Sequence, residues 1–312
     1  MEWKNMLILV FVFAVSLSAC DDYYELGTGE EGVTGTEGLK MDFIPGTTPS
    51  RISVDENYNM QLRIENKGAL DIEEGYLDIV FDSQLLELKN REDVDTFELR
   101  GGGVTYRGED KVTEVRMRSR ELPIQNVDQR DTTIRFNACY EYGTRFEGTM
   151  CIDTDLRSGS ADKPCIMSPI SGGKGQGAPV VVNRVEPRAS TGSTGVNVNF
   201  DIYIRDSARG RVLTPGASER VCKDEISSDD FEVIDITEIV VSNYRLSEGK
   251  IKCDSHTAYP NQFDLSHRRG HITCRITEEI PFDRGTFTTP IIIHMDYGYL
   301  QTMEHSLAIV SR

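Results

Sequence analysis

Apolar and polar residues alternate in short runs along most of this chain from Met41 onwards. A period of two with one apolar face is typical of half-buried antiparallel strands. Turn-forming residues separate the runs at 66–68, 101–103 and 143–144, and no amphipathic helix longer than two turns is evident. The pattern therefore predicts an all-β protein. The apolar members of four such runs are Met60, Leu62 and Ile64; Leu77, Ile79 and Phe81; Val115 and Met117; and Ile134, Phe136, Ala138 and Tyr140.

A Gly- and Pro-rich stretch, SPISGGKGQGAP at 168–179, interrupts the alternation and predicts a linker. Alternating strands resume beyond it. We therefore expect one domain over 41–167 and a second over 180–312. The second is expected to end in a hairpin of strands 291–297 and 300–309.

The two predicted domains contain similar runs, which suggests an internal repeat. In the first, Met60–Gly68 is an alternating strand that ends in Asn, Lys and Gly. In the second, Val198–Asp206 alternates in the same way and reaches Gly210 soon afterwards. Asn or Asp followed by glycine suits a turn, because these residues supply local hydrogen bonds and positive φ angles.

The N-terminus is predicted to be an export signal. Lys4 precedes an apolar run from Met6 to Leu17, which as a helix would span about 18 Å, short of the ~30 Å needed to cross a membrane. Residues 1–19 therefore fit a cleaved signal peptide. The polar, Gly-, Thr- and Glu-rich stretch up to residue 40 predicts a flexible tether with a reach of about 25 Å.

The signal ends in Leu-Ser-Ala-Cys at 17–20, which resembles the lipobox of bacterial and archaeal lipoproteins. That resemblance implies cleavage before Cys20 and lipidation of its thiol. Several acyl chains would hold the protein stably on a membrane, whereas one chain binds marginally. The resemblance implies an extracytoplasmic protein, lipid-anchored to the cell membrane or cell surface, with 20–40 as lipidated cysteine and tether.

A second resemblance concerns the fold. The run MQLRIENKGALDIEEGYLDIVFD at 60–82 is similar to the start of the CARDB-type, Ig-like domains of prokaryotic surface proteins, in which a strand, an Asn-x-Gly turn and a second alternating strand follow one another. Residues 197–216 match more weakly. The resemblance implies two tandem Ig-like β-sandwich domains and brings no catalytic residues with it.

The remaining cysteines fall three and three in the predicted domains, and an export compartment permits disulfides. Cys253 lies two residues from Ile251, and Cys274 lies two residues from Ile272 and Ile276. Both thiols therefore belong to apolar faces, and we expect a buried Cys253–Cys274 bridge.

The pairing of the other cysteines stays open, because six thiols permit fifteen connectivities. Cys139 faces away from the apolar face of its strand, towards a loop such as the one that carries Cys165. Cys151 and Cys222 would then remain, and a bridge between them would join the two domains. Each native bridge would contribute about 2–4 kcal/mol.

Metal and ligand sites are weaker alternatives, and we expect no cofactor or metal. Cys253-x-x-His256 and His271-x-x-Cys274 offer zinc-type ligands, but residues at odd spacing on a strand face opposite ways. The acidic loop from Asp153 to Asp162 offers oxygen ligands for calcium without an EF-hand pattern. Tyr297 and Tyr299 flank a glycine and are candidates for a binding loop at the tip of the last hairpin.

Composition limits the partners. The 312 residues carry a formal net charge of −17, which disfavours binding to nucleic acid. No nucleophile elbow or zinc-protease motif occurs. We therefore expect a protein that is not an enzyme and has a structural, scaffolding or adhesion role through contacts with other envelope proteins. A binding module for carbohydrate or peptide is the alternative.

Overall fold

The structure is a computed structural model that describes residues 35–90, 96–103, 105–121, 128–158, 163–173, 175–254 and 261–311. The predicted signal peptide, Cys20 and most of the predicted tether lie outside these residues. Contacts group the chain from Val33 to Arg312 into one compact unit.

The described chain is all-β, as the alternating pattern predicts. The strands of the first half are β1 (Leu39–Phe43), β2 (Arg51–Ser53), β3 (Asn57–Asn66), β4 (Ile72–Val80), β5 (Leu86–Leu88), β6 (Thr96–Leu99), β7 (Asp110–Ser119) and β8 (Gln129–Asp153). Those of the second half are β9 (Ile170–Ser171), β10 (Val180–Thr191), β11 (Gly195–Asp206), β12 (Arg211–Leu213), β13 (Val233–Val241), β14 (Tyr244–Arg245), β15 (Ile251–Cys253), β16 (Gln262–Asp264), β17 (Arg269–Ile276), β18 (Ile280–Pro281) and β19 (Thr286–Val310).

Helical structure is limited to single turns in the described residues. Helix α1 (Ser218–Cys222) has five residues, and two 3₁₀ turns lie at Ser228–Asp230 and Phe282–Arg284. None of these helices is long and apolar enough to span a membrane.

The strands form three sheets. The first small sheet has the order β1-β3-β7-β5, and the second has the order β15-β17-β11-β10-β9. The third sheet, called the shared sheet below, has the order β14-β13-β19-β8-β4-β6. Its two central strands come from opposite halves of the sequence.

The centre of the shared sheet is a ladder between β8 and β19. The two antiparallel strands have 25 residues each and stay in register from Gln129↔Val310 to Asp153↔Thr286. The predicted hairpin of 291–297 and 300–309 is therefore wrong, because one continuous strand covers both segments. Gly298 does not form a turn. A Cβ atom there would lie 2.9 Å from Cβ of Leu213, so the glycine lets a neighbouring segment approach the strand.

Each small sheet packs against one end of the shared sheet. Phe43 on β1 makes edge-to-face contacts with Phe136 on β8 and His305 on β19, with ring centroids 5.4 and 5.3 Å apart. At the other end, the Thr144 hydroxyl on β8 donates a hydrogen bond to the Val180 carbonyl on β10. Facing sheets that bury their inner side chains are the arrangement of a β-sandwich.

The tandem arrangement of two separate domains is not confirmed. Both ends of the shared sheet contain β8 from the first half of the chain and β19 from the second. The buried apolar residues form one continuous core, apart from a small cluster around α1. The predicted linker at 168–179 contains β9, and Gly177 in it accepts hydrogen bonds from the Ala69 amide and the Tyr142 hydroxyl. This stretch is thus bonded to the first half of the chain.

The two halves place their strands in the same order. The first small sheet has the order β1-β3-β7-β5. In the second small sheet β10, β11, β17 and β15 occupy the corresponding positions. Each half also contributes a neighbour to its own long strand in the shared sheet: β4 pairs with β8, and β13 pairs with β19. The midpoint of the long ladder lies at Glu141↔Gly298.

Candidate functional site

Three disulfides join the six cysteines of the described chain: Cys139–Cys222, Cys151–Cys165 and Cys253–Cys274. Disulfides persist in oxidising compartments. The bridges therefore indicate an extracytoplasmic environment. Cys20, the predicted lipidation site, lies outside the described residues.

The Cys253–Cys274 bridge joins β15 to β17 across the second small sheet. The two residues are direct register partners with Cα atoms 4.0 Å apart, and Cys274 is buried, as the shared apolar face predicts. The zinc alternative loses its two thiolates to this bond. His271 also lies exposed on the opposite face, and His256 lies outside the described residues.

The remaining pairs differ from the expectation. Cys139 does face away from the apolar face of β8, but it meets α1 rather than the loop of Cys165. Its bond to Cys222 joins the two halves of the chain, a role that the sequence assigned to Cys151 and Cys222. Cys151 instead bonds Cys165 in the loop that follows its own strand. Helix α1 was missed because five residues are too few to show a helical period.

Tyr297 and Tyr299 are not a binding loop. Both side chains are fully buried in the middle of β19, directly opposite Tyr142 and Tyr140 on β8. The four rings form a cluster with edge contacts between Tyr140 and Tyr142 at 5.7 Å and between Tyr297 and Tyr299 at 6.5 Å. Burial raises the pKa of all four phenols, so they act as neutral hydrogen-bonding groups.

The hydroxyls of this cluster hold the small sheets in place. The Leu39 amide at the start of β1 donates to Tyr140 at 3.0 Å. The Val180 amide at the start of β10 donates to Tyr297 at 3.4 Å. The Leu70 amide bonds Tyr142, and the Gly210 amide bonds Tyr299. Tyr140 and Tyr142 thus fasten β1 and the segment after β3, whereas Tyr297 and Tyr299 fasten β10 and the segment after β11.

The acidic loop considered as an alternative calcium site, of which residues 159–162 lie outside the described residues, contains a cation of its own. The Lys163 ammonium lies 2.6 Å from the Asp153 carboxylate and 2.6 Å from the Asp155 carbonyl. The Thr286 hydroxyl also donates to Asp153. Burial is the largest single influence and raises the pKa of Asp153. The hydrogen bonds and the Lys163 charge together outweigh it and hold the pKa below its usual value. No group of three acidic, His or Cys side chains suited to a metal occurs among the described residues.

The strongest candidate for a binding surface is the outer face of the second small sheet. Residues at alternate positions of a strand face the same way, and here Phe200, Ile202 and Ile204 point into the core. The register places side chains in rows on the opposite side. The exposed cations of this surface, called the cationic face below, are Arg184, Arg188, Arg205, Lys252, Arg269 and Arg275.

One row of the cationic face crosses four strands. Arg188, Asn199, Arg275 and Lys252 are successive register partners on β10, β11, β17 and β15. Arg275 lies 3.5 Å from Asp254, whereas Lys252 pairs with no carboxylate among the described residues. This row therefore presents cationic groups to solvent.

A buried carboxylate organises the middle of the cationic face. Asp201 is 2% exposed. Its Oδ1 accepts a hydrogen bond from the Thr273 hydroxyl at 2.6 Å and lies 3.3 Å from His271 Nε2. Its Oδ2 pairs with the Arg188 guanidinium. The carboxylate thus holds side chains from two neighbouring strands in fixed positions.

Tyr203 lies in the next row between two flat groups. The Arg184 guanidinium is 4.5 Å from the ring centroid, and the His271 ring stacks at 4.8 Å. The Tyr203 hydroxyl donates to Glu186, whose carboxylate pairs with Arg184 at 3.0 Å. A cation over a tyrosine contributes about 0.5–1 kcal/mol at exposed sites, so this stack orders the Arg184 side chain.

A polar depression of about 570 Å³ lies on the cationic face beside the β10–β11 hairpin. Its lining offers amides, hydroxyls and two cations. The only apolar member is buried beneath them. The lining residues are Ser190, Asn197, Asn199, Lys252, Arg275, Ile276 and Thr277.

The β10–β11 hairpin beside the depression is held by Glu279. Its carboxylate accepts hydrogen bonds from the Thr194 amide at 2.7 Å, the Thr194 hydroxyl at 2.8 Å and the Ser193 amide at 3.0 Å. These bonds lower the pKa of Glu279 to about 2, and the bond from the Thr194 amide has the largest effect.

We expect Glu279→Gln to destabilise the protein in a pH-dependent way. A carboxylate with a lowered folded pKa stabilises the fold above its unfolded pKa of 4.5, and that contribution disappears as the pH falls to about 2. Urea unfolding should therefore show the native chain to be more stable than the variant at pH 6, with the difference shrinking below pH 4.5. The exposed neighbour change Glu278→Gln is the control, and an equal pH profile for both variants would contradict the assignment.

Comparisons with known proteins found no family match. No protein-family model matches the sequence, and no curated protein matches it. One solved structure with some similarity is the secreted serine protease VesC from Vibrio cholerae, at 9% identity and a TM-score of 0.21. The match covers 82% of this chain and 49% of the other, so the chain spans about half the length of that protein. A likeness at this TM-score carries no argument about fold or activity.

Sequence reasoning missed the cationic face because it followed only the apolar positions of each strand. The signal was present in the intervening residues of β11, Asn197, Asn199, Asp201, Tyr203 and Arg205, which are all polar or aromatic. Their alignment with β10 and β17 depends on register, which no pattern within a single strand contains.

Proposed function

We propose that this protein is a lipid-anchored extracytoplasmic protein that acts as a rigid scaffold or adhesion element through contacts with other envelope proteins. The observation that carries the proposal is the ladder of 25 paired residues in the shared sheet. At about 3.3 Å per residue such a ladder extends about 80 Å. The ladder continues past both small sheets without a break in register, which suits a spacer that holds partners at a set distance from a membrane.

Anchoring is the second part of the proposal. The Leu-Ser-Ala-Cys sequence at 17–20 supports lipidation of Cys20, and the disulfides support a location outside the cytoplasm. The polar residues up to 38 would connect the lipid to the start of β1 at Leu39.

We further infer that each half of the chain is an Ig-like unit derived from one duplicated precursor. The same strand order in both small sheets supports this. So does the Tyr-x-Tyr pair that fastens each half, Tyr140 with Tyr142 and Tyr297 with Tyr299. In this interpretation the two units have fused by sharing their longest strands.

The proposal assigns no catalytic activity. Partners would meet the outer faces or edges of the sheets, as is common for β-sandwich proteins. Nucleic acid is a poor partner for a chain of net charge −17.

A second candidate function, binding of a carbohydrate ligand, is favoured by one observation. The depression on the cationic face is lined by the amides of Asn197 and Asn199 together with Lys252 and Arg275. Convergent polar groups of this kind can bond sugar hydroxyls and acidic substituents.

Cell fractionation with crosslinking tests the anchored scaffold. The native chain should stay in the membrane fraction of the native host and crosslink to envelope proteins in intact cells. Cys20→Ala should release the protein from the membrane fraction and remove those crosslinks. The circular dichroism spectrum of the variant should match that of the native protein. Equal membrane retention of both forms would disprove the lipid anchor, and a released form that keeps every crosslink would disprove the need for anchoring.

A further inference from the structure

We propose that the cationic face binds an acidic saccharide chain, with one carboxylated or sulfated residue in the depression between Asn199, Arg275 and Lys252. The inference rests on the second proposed function, carbohydrate binding, and names its ligand class and its site.

Charge is the first argument. The chain carries a net charge of −17, yet one face of one sheet gathers arginines and a lysine from four strands. Lys252, Arg205 and Arg269 have no ion pair with any carboxylate of the described residues. The repulsion between an anionic ligand and the rest of the protein is screened beyond about 8 Å at physiological ionic strength. Contact with the cationic face therefore decides whether an anionic ligand binds.

The lining of the depression favours a saccharide over an acidic protein segment. Protein interfaces depend on a few aromatic or apolar anchors in dry pockets. Here the only apolar lining residue, Ile276, is itself 3% exposed. Asn197 and Asn199 offer amide donors and acceptors, which match sugar hydroxyls, and Arg275 offers a planar fork for a carboxylate or sulfate.

The extent of the face favours a chain over a single ion. Asn199 and Arg205 are six residues apart on β11, which corresponds to about 20 Å along the strand. Arg205 and its register partner Arg269 close the far end of the face, and the Arg184–Tyr203–His271 stack lies between the two ends. A chain of several sugar residues can therefore meet cations at both ends.

Much of the face is ordered before any ligand arrives. Asp201 holds Arg188 and His271, and Tyr203 holds Arg184. Long cationic side chains lose less freedom on binding when they are already fixed. The buried Asp201 carboxylate thus has a positioning role for the cations above it.

The test measures binding of the complete mature protein to four polymers: polygalacturonate, dextran sulfate, uncharged dextran and poly-L-glutamate. Immobilised protein and biolayer interferometry at 50 and 300 mM NaCl give the dissociation constants. We expect binding to polygalacturonate or dextran sulfate, weaker at the higher salt concentration, and no binding to dextran. Poly-L-glutamate should bind at least tenfold more weakly than the better acidic saccharide.

A matched pair of variants locates the site. Lys252→Gln with Arg275→Gln should weaken binding of the acidic saccharide about tenfold, the loss of roughly 1.4 kcal/mol. Lys40→Gln with Arg63→Gln removes two exposed cations from the outer face of the first small sheet and should leave binding within twofold. Both double variants change solvent-facing residues, so thermal unfolding should match that of the native protein.

Each other outcome overturns the proposal in a different way. Equal affinity for poly-L-glutamate would show that charge alone is recognised. Equal losses in the two double variants would show that the cationic face is not the site. Binding of dextran without binding of the acidic polymers would reject the acidic ligand and leave carbohydrate binding intact, whereas binding of none of the polymers would reject both.

Discussion

Removal of the Cys139–Cys222 disulfide is expected to lower the free energy of unfolding by about 3–5 kcal/mol. The bridge spans 83 residues, and in the chain-entropy account a loop of this length is worth about 4.5 kcal/mol. Both half-cystines are buried, at 0% and 6% exposure. Replacement of both by alanine therefore avoids leaving a polar group without a partner.

The same bridge fastens α1 to the shared sheet. Val221 and Ala217 pack with Tyr76 and Leu213 in a small cluster on the outer face of that sheet. Without the covalent bond this five-residue helix depends on that cluster and on the hydrogen bonds that the Glu141 carboxylate accepts from the Gly216 and Ser218 amides. Amide hydrogen exchange in 218–222 should therefore rise more than in β8.

The Cys151–Cys165 bridge is the matched control. It spans only 14 residues, for which the same account gives about 3 kcal/mol. Urea unfolding of the two double-alanine variants, each against the native chain, measures the difference. A larger loss from the shorter loop would contradict the interpretation that the long bridge stabilises the protein by joining its two halves.

Tyr297→Ala should destabilise the protein by about 3–5 kcal/mol, the usual cost of deleting a large buried aromatic ring. The ring is fully buried and packs against Tyr142 and Tyr299. It lies beside the midpoint of the long ladder, so the cavity would open in the middle of the continuous core.

Tyr297→Phe separates the ring from its hydroxyl. This variant keeps the packing but removes the Tyr297 acceptor of the Val180 amide, which costs about 1–3 kcal/mol. The Thr144 hydroxyl loses its bond to Tyr297 and still donates to the Val180 carbonyl. Near-ultraviolet circular dichroism during thermal unfolding follows the tyrosines directly. An alanine variant that loses no more stability than the phenylalanine variant would show that the ring does not carry packing energy.

Much of the strand content could be read from the sequence because β3, β7 and the first part of β8 alternate cleanly. In β3, Met60, Leu62 and Ile64 are fully or almost fully buried, as their spacing predicts. The pattern reports which side of a strand faces the core. It carries no information about which other strand lies beside it.

The continuity of β19 could not be read in the same way. Gly298 interrupts an apolar run and is typical of a turn. In the structure the missing side chain instead lets the segment that contains Leu213 pack closely against β19. The structural reason for the glycine lies about 85 residues earlier in the chain, since position 298 packs against position 213. No local pattern could have shown it.

The pairing of Cys139 shows the same limit. Its orientation on β8 followed from alternation, whereas its partner depended on a five-residue helix that crosses the opposite side of the sheet. The cationic face likewise needs the register of β10, β11, β15 and β17, and those strands come together only in the folded sheet.

The long ladder also sets the order in which the protein can fold. β8 is complete well before β19, the last strand of the described chain, has been synthesised, and most of the shared sheet depends on their pairing. Contacts between such distant segments close slowly. Until they close, β8 presents a 25-residue edge that is open to pairing with the same edge of another copy. Correct folding of this protein thus competes with strand exchange between nascent chains, and the competition grows with the rate at which the cell produces it.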